Sequence, residues 1–222
     1  MPTAIIGVGN IGKRVAADLT KGGETVILAA STLSAAEQLA RELGPPASAA
    51  GVADAIDQAD AVIFAVWFDP MKELIGTYAS HLAGKVVIDP SNPIGPDGKG
   101  GFIRTLPDGV SAASVIAGLL PSGAHYVKAF GTVAAEKLAD AANRSPDRAV
   151  LFYATDDATA ASTAERLISA AGFDPVRVGG PDEAIRIEAF GDLHDMGGLN
   201  GRLLSLAQAQ ALLQADADAK PH

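Results

Sequence analysis

A chain of 222 residues can bury one substantial core but is short for two full domains. Hydrophobic residues make up 48% and charged residues 19%, which argues against disorder in the bulk of the chain, and the absence of cysteine removes disulfides, thiolate catalysis and cysteine-ligated metals. The formal charge of -9, with no cluster of Lys or Arg, argues against a nucleic-acid partner, so an anionic ligand must be held by local donors.

The opening, Met1-Pro2-Thr3-Ala4-Ile5-Ile6-Gly7, lacks the basic and long apolar regions of a signal peptide and reads as a strand. With no stretch of about 18 apolar residues to span a bilayer, a cytoplasmic location is the expectation. Residues 4–8 form an apolar run ending in glycines, as a buried parallel strand does. From Asn10 to Lys21, Ile11, Val15, Ala16 and Leu19 recur at helical spacing, and Gly22-Gly23 stops the helix. Residues 25–29 are a second strand and 35–43 a second helix, closed by Gly44-Pro45-Pro46. A weak strand over 47–52, a short helix over 54–59 and the clearest buried strand, 61–66, follow. Residues 70–82 read as helix, 85–89 as strand, and 90–101, rich in Pro and Gly, as loop. Further on come a helix over 111–120, strands over 126–130 and 150–154, a helix over 159–171 and a short strand over 175–178. From Glu183 the pattern predicts helix with a break at Gly197-Gly198, then a polar, frayed tail over 216–222.

Strands alternating with helices at this spacing predict a Rossmann-type, doubly wound α/β fold: a mostly parallel sheet with helices on both faces and a small C-terminal helical extension. The expected division is an NAD(P)-binding unit over 1–180 and a helical segment over 181–222 that completes the pocket or a dimer interface.

Gly7-Val8-Gly9-Asn10-Ile11-Gly12 matches G-x-G-x-x-G between a strand and a helix, the context that makes this pattern informative. Gly7 permits the tight turn. Gly9 lets a pyrophosphate approach the backbone, and Gly12 lets helix and strand pack closely. The helix start offers free N–H groups and a partial positive charge to the phosphates. After the second strand, an NAD site carries an acid for the ribose hydroxyls. Here Leu28-Ala29-Ala30-Ser31-Thr32 has none, which permits NADP. Ser31 and Thr32 either donate to a 2′-phosphate or cap the next helix. No Lys or Arg follows at once, which leaves Arg14 or Arg41 as sources of positive charge.

Ligands of open parallel sheets sit beyond the carboxyl ends of the strands. Three segments should meet there: Val66-Trp67-Phe68-Asp69-Pro70, Asp89-Pro90-Ser91-Asn92-Pro93 and Phe130-Gly131-Thr132. Trp67 either flanks the nicotinamide or, with Phe68, covers the edge of the core. His81, His125, His194 and His222 share no metal-ligand spacing, and no acid–base pair stands out. His125 precedes a strand and belongs at the wrong end of the sheet. His194 is a candidate general acid or, alternatively, a surface or capping residue. Hydride transfer between two bound cofactors needs alignment more than a protein acid or base, which suits this inventory.

The order of the glycine turn, Asp89-Pro90-Ser91-Asn92-Pro93, Ser111-Ala112-Ala113, Val127-Lys128-Ala129-Phe130-Gly131-Thr132 and Gly197-Gly198-Leu199-Asn200-Gly201-Arg202 resembles the F420-dependent NADP oxidoreductase family. The resemblance implies an NADP-binding Rossmann fold, reversible hydride transfer between NADPH and a deazaflavin, coenzyme F420, and commonly a homodimer. By position it implies that Gly7, Gly9, Asn10, Ile11 and Gly12 hold the pyrophosphate and that Ser31 and Thr32 meet the 2′-phosphate. Asn92, Pro93, Phe130, Gly131 and Thr132 would border the nicotinamide and the second substrate. Thr32 stands where members often carry Arg. Gly131 stands where many bacterial relatives carry Asn, which leaves room for a larger or different second ligand. The expected activity is NADPH-dependent reduction of a deazaflavin or flavin. The alternatives are reduction of a small carbonyl or imine, and a non-catalytic NADP-sensing module.

Overall fold

The computed structural model describes residues 1–219. The elements run β1 (Thr3–Ile6), α1 (Asn10–Lys21), β2 (Val26–Ala29), α2 (Leu33–Leu43), β3 (Ala47–Ala49), α3 (Val52–Gln58) and β4 (Ala61–Phe64). After β4 come α4 (Phe68–Thr77), α5 (Ala79–Leu82), β5 (Val86–Asp89), β6 (Ile94–Pro96), β7 (Phe102–Arg104) and α6 (Ala112–Ala117). The rest is β8 (His125–Lys128), α7 (Ala135–Ala141), β9 (Val150–Ala154), α8 (Ala158–Ala170), β10 (Asp174–Gly179), a 3-10 turn over Pro181–Arg186 and α9 (Leu206–Ala219).

Eight strands form one sheet in the order β10-β9-β8-β5-β4-β1-β2-β3. Strands β1, β2, β4 and β5 are apolar apart from Thr3 and Asp89 and wholly buried, as expected where helices cover both faces. Alternate residues feed two cores. Ile6, Val62, Phe64 and Val87 meet Met71 and Ile75 of α4 on one face, and Ile5, Ile63 and Ile88 meet Val15 and Leu19 of α1 on the other. The register Ile6↔Ala29 and Ile6↔Phe64 brings the carboxyl ends of β1, β2 and β4 level. Among the described residues no helix is long and apolar enough to cross a membrane.

The last two strands reverse direction. β9 pairs with β8 antiparallel, and β10 runs parallel to β9. Their carboxyl ends therefore lie at the amino edge of the other strands, where His125 meets Asp157 at 2.6 Å. The chain then returns: Ser111 Oγ donates to Pro181 O, and Ala189 N reaches Asn92 on the far edge.

Several expectations need correction. The helix expected over 70–82 is two helices, interrupted at Tyr78 (φ -107°, ψ 18°). The loop expected over 90–101 contains β6, which pairs with β7 in an antiparallel hairpin. Residues 187–204, expected to be helical, are turns and bends to 201 and irregular chain after it, with Phe190 and Asn200 at positive φ. A Cβ at Gly191, Gly197 or Gly198 would lie 2.1–2.5 Å from a backbone oxygen, so the segment folds back on itself too tightly for a helix. Of the tail expected to fray, 216–219 lie in α9; residues 220–222, with His222, are outside the described residues.

Candidate functional site

The glycine turn leaves β1 at Gly7, whose φ of +104° lies in the left-handed region. A Cβ there would sit 2.5 Å from Ala65 O, and one at Gly12 would sit 1.9 Å from Gly7 O. Gly9 differs: nothing lies within 4 Å of its Cβ position, and it is the N-cap of α1 without a side-chain cap. The first N–H groups of a helix have no intrahelical partner, and no acidic residue occupies the first turn. Asn10 is exposed, its carbonyl accepting from Arg14 at 2.8 Å, while Ile11 packs on the core and anchors the turn. A side-chain-free step in front of unpaired amides fits a diphosphate.

Beside the turn lies a cleft of about 460 Å³. Its walls include Ser31 past β2, Val52 at the start of α3, Val66 past β4, and Glu73, Thr77 and Tyr78 along and just past α4. Ser31 and Thr32 are exposed. Thr32 is the N-cap of α2 but makes no side-chain cap bond, so its hydroxyl is free. Arg41 lies 3.9 Å from Glu37, Arg14 is on the Asn10 carbonyl, and neither lines the cleft. Sequence reasoning missed the α4 wall. Pro70, Glu73, Leu74 and Thr77 recur at i, i+3, i+4 and i+7 on a helix that opens at a strand's carboxyl end, and that spacing was the available signal.

The other three segments meet at the carboxyl ends of β4, β5 and β8. Trp67 does not cover the core. It is 58% exposed, with its ring centroid 6.2 Å from that of Phe102 on the β6–β7 hairpin, while Phe68 is the buried one. Asn92 spends its amide on the fold: Nδ2 donates to Gly131 O (2.9 Å) and Oδ1 accepts from Ala189 N (2.7 Å). Pro93, Phe130, Gly131 and Thr132 are buried beneath this joint, and Phe130 takes φ +65°, rare for a bulky residue. The room expected at Gly131 is absent. A Cβ there would meet Pro90 O at 2.5 Å, so the chain's own backbone fills the space.

His194 is neither at the surface nor free to act as an acid. It is 2% exposed; Nε2 donates to Gly131 O at 3.0 Å and Nδ1 accepts from Met196 N at 3.0 Å. Burial holds its pKa below the ordinary value, consistent with a neutral ring. Beneath lies a network the sequence did not reveal. Tyr126 donates to Asp89 Oδ2 (2.8 Å), and Lys128 donates to the same oxygen (3.1 Å) and to Ser91 O. Burial and then the Asp89 carboxylate push the Tyr126 phenol well up, so it stays a donor. These groups fix the ends of β5 and β8.

The family model described as NADP oxidoreductase, coenzyme F420-dependent, matches residues 2–93. The structure of hypothetical protein SMa0349 from Sinorhizobium meliloti is similar at 30% identity and TM-score 0.80, over 92% of this chain and 95% of that one. A candidate F420-dependent NADP reductase from Arthrobacter sp. FB24 is similar at 23% identity and TM-score 0.71, over 82% of this chain and 86% of that one. A reductive aminase from Aspergillus terreus, in complex with NADPH and ethyl levulinate, shares the fold at 18% identity and TM-score 0.59, over 98% of this chain and 62% of that one. No curated protein matches the chain.

Proposed function

We propose a function from one premise: the chain belongs to the family of coenzyme F420-dependent NADP oxidoreductases. It binds NADP(H) across the carboxyl ends of β1, β2 and β4 and passes hydride to or from a second redox cofactor, a deazaflavin or a flavin. The observation that carries this reading is the open Gly9 step in front of the unpaired amides of α1.

Each residue has a part in this reading. Gly7, Gly9, Asn10, Ile11 and Gly12 form the cradle for the diphosphate. Ser31 and Thr32 offer hydroxyls toward the 2′ position of the adenosine ribose, and the cleft between Ser31, Val52 and α4 takes the adenosine. Val66 and Trp67 lie at the end of β4, where the chain turns into α4. Asn92, Pro93, Phe130, Gly131 and Thr132 border the nicotinamide in this reading, from a joint that the Asn92 bonds to Gly131 O and Ala189 N hold rigid. NADP(H), when bound, supplies the hydride. The chain orients it, and the proton that completes reduction of the acceptor comes from solvent, so no side chain is required to move one. The 181–219 segment, pinned over β5 and β8 through Ala189 and His194, completes the far wall.

The test is direct. The protein mixed with NADPH and, separately, F420, FMN or FAD is followed at the absorbance of both partners. Turnover with at least one of them is expected; none with any of the three removes the proposal.

A further inference from the structure

The cleft beside Gly7 carries one charged side chain among the described residues, and it is negative. Glu73, exposed on α4, lines the same space as Ser31, and no Lys or Arg lines it. Its carboxylate makes no hydrogen bond or ion pair with the described residues; only its carbonyl is engaged, by Thr77 Oγ1. The adjacent cation does not neutralise it. Lys72 is held 2.7 Å from Asp69 and lies over the Phe68 ring.

In dinucleotide folds the group beside the adenosine ribose sets coenzyme choice. A carboxylate accepts the ribose 2′-hydroxyl of NAD, and a guanidinium accommodates the 2′-phosphate of NADP. The turn after β2 supplies neither, since Ser31 and Thr32 are neutral donors that serve a hydroxyl or a phosphate alike. The carboxylate comes instead from across the cleft. It can accept from adenosine donors, and it repels a phosphate that no cation balances.

We propose that Glu73 is a specificity-determining residue that makes this chain accept NADH alongside NADPH. The inference rests on the dinucleotide reading above and extends it to a coenzyme the family description does not include.

Calorimetric titration of the protein with NADH and with NADPH tests it without any acceptor. The wild-type dissociation constants should lie within about tenfold of each other. In Glu73→Gln the carboxylate is lost from an exposed helical position, so the fold should persist, as a melting curve verifies. NADPH should then bind more tightly and NADH more weakly, moving the ratio by about tenfold, the worth of one charge-assisted hydrogen bond. A wild-type preference for either coenzyme well above that range, or a ratio unmoved in Glu73→Gln, overturns the inference and leaves the oxidoreductase reading standing. Failure of both coenzymes to bind removes both.

Discussion

Three glycines six residues or less apart have three separate jobs, and substitution can separate them. Gly12 sits against the Gly7 carbonyl, so Gly12→Ala must displace the turn and should cost about 1–3 kcal/mol, as overpacking does. Gly9 has free space and a φ of -75° that any residue adopts, so Gly9→Ala and Gly9→Glu should unfold at nearly the wild-type urea midpoint. Binding should follow the opposite pattern of damage. On the proposed cradle, Gly9→Glu places a side chain and a negative charge where the diphosphate would sit, and calorimetry should detect no coenzyme binding. Undiminished affinity in folded Gly9→Glu would refute the cradle. The tight turn at Gly7 and the close packing at Gly12 were legible in the sequence because G-x-G-x-x-G between a strand and a helix encodes its geometry in spacing alone. Gly131 was not legible. Its role depends on the Pro90 carbonyl, 41 positions upstream in the chain, and no local pattern announces such an approach.

Elements whose burial is complete announced themselves, and those whose structure depends on partners did not. β1, β2, β4 and β5 are near-continuous apolar runs because both faces of the sheet are covered. The β6–β7 hairpin reads as loop because Pro93, Gly95, Pro96, Gly98, Gly100 and Gly101 crowd it; its strands are three residues each and largely unburied. The 187–204 segment carried apolar residues at helix-like spacing, yet its backbone is bent by positive φ at Phe190 and Asn200. What holds hairpin, α6 and this segment together is Glu188, 0% exposed, with Arg104 NH1 at 3.0 Å and the Ala113 N–H at 3.2 Å. Glu188→Ala strands the Arg104 guanidinium and a buried amide, and should cost about 3–5 kcal/mol in urea unfolding, the usual penalty for removing one partner of a buried pair. Glu188→Gln keeps an acceptor for Ala113 and should cost clearly less. Equal losses in the two variants would mean that the charge, not the acceptor, joins these elements.

Over the whole molecule the sign of the charge opposes the ligand. The chain carries -9 in total, and a dinucleotide phosphate is itself an anion, so encounter is uphill until the coenzyme reaches the start of α1. The attraction there is short-ranged, since a helix terminus acts within its first turn. The repulsion is long-ranged, with a screening length of about 30 Å at 0.01 M salt and about 8 Å at 0.15 M. Salt should therefore remove the repulsion before it weakens the contact. Stopped-flow association of NADPH should accelerate about threefold or more between those two concentrations, while the dissociation rate changes less. The sequence composition carries this expectation, and the structure sharpens it, because the cleft proposed for the adenosine adds Glu73 and no cation. Association that slows with added salt would require a positive field at the mouth of the crevice strong enough to outweigh the rest of the molecule. The lysine and arginine nearest the glycine turn, Lys13 and Arg14 on α1, would then be its source, and charge reversal at Lys13, which is exposed, would locate it.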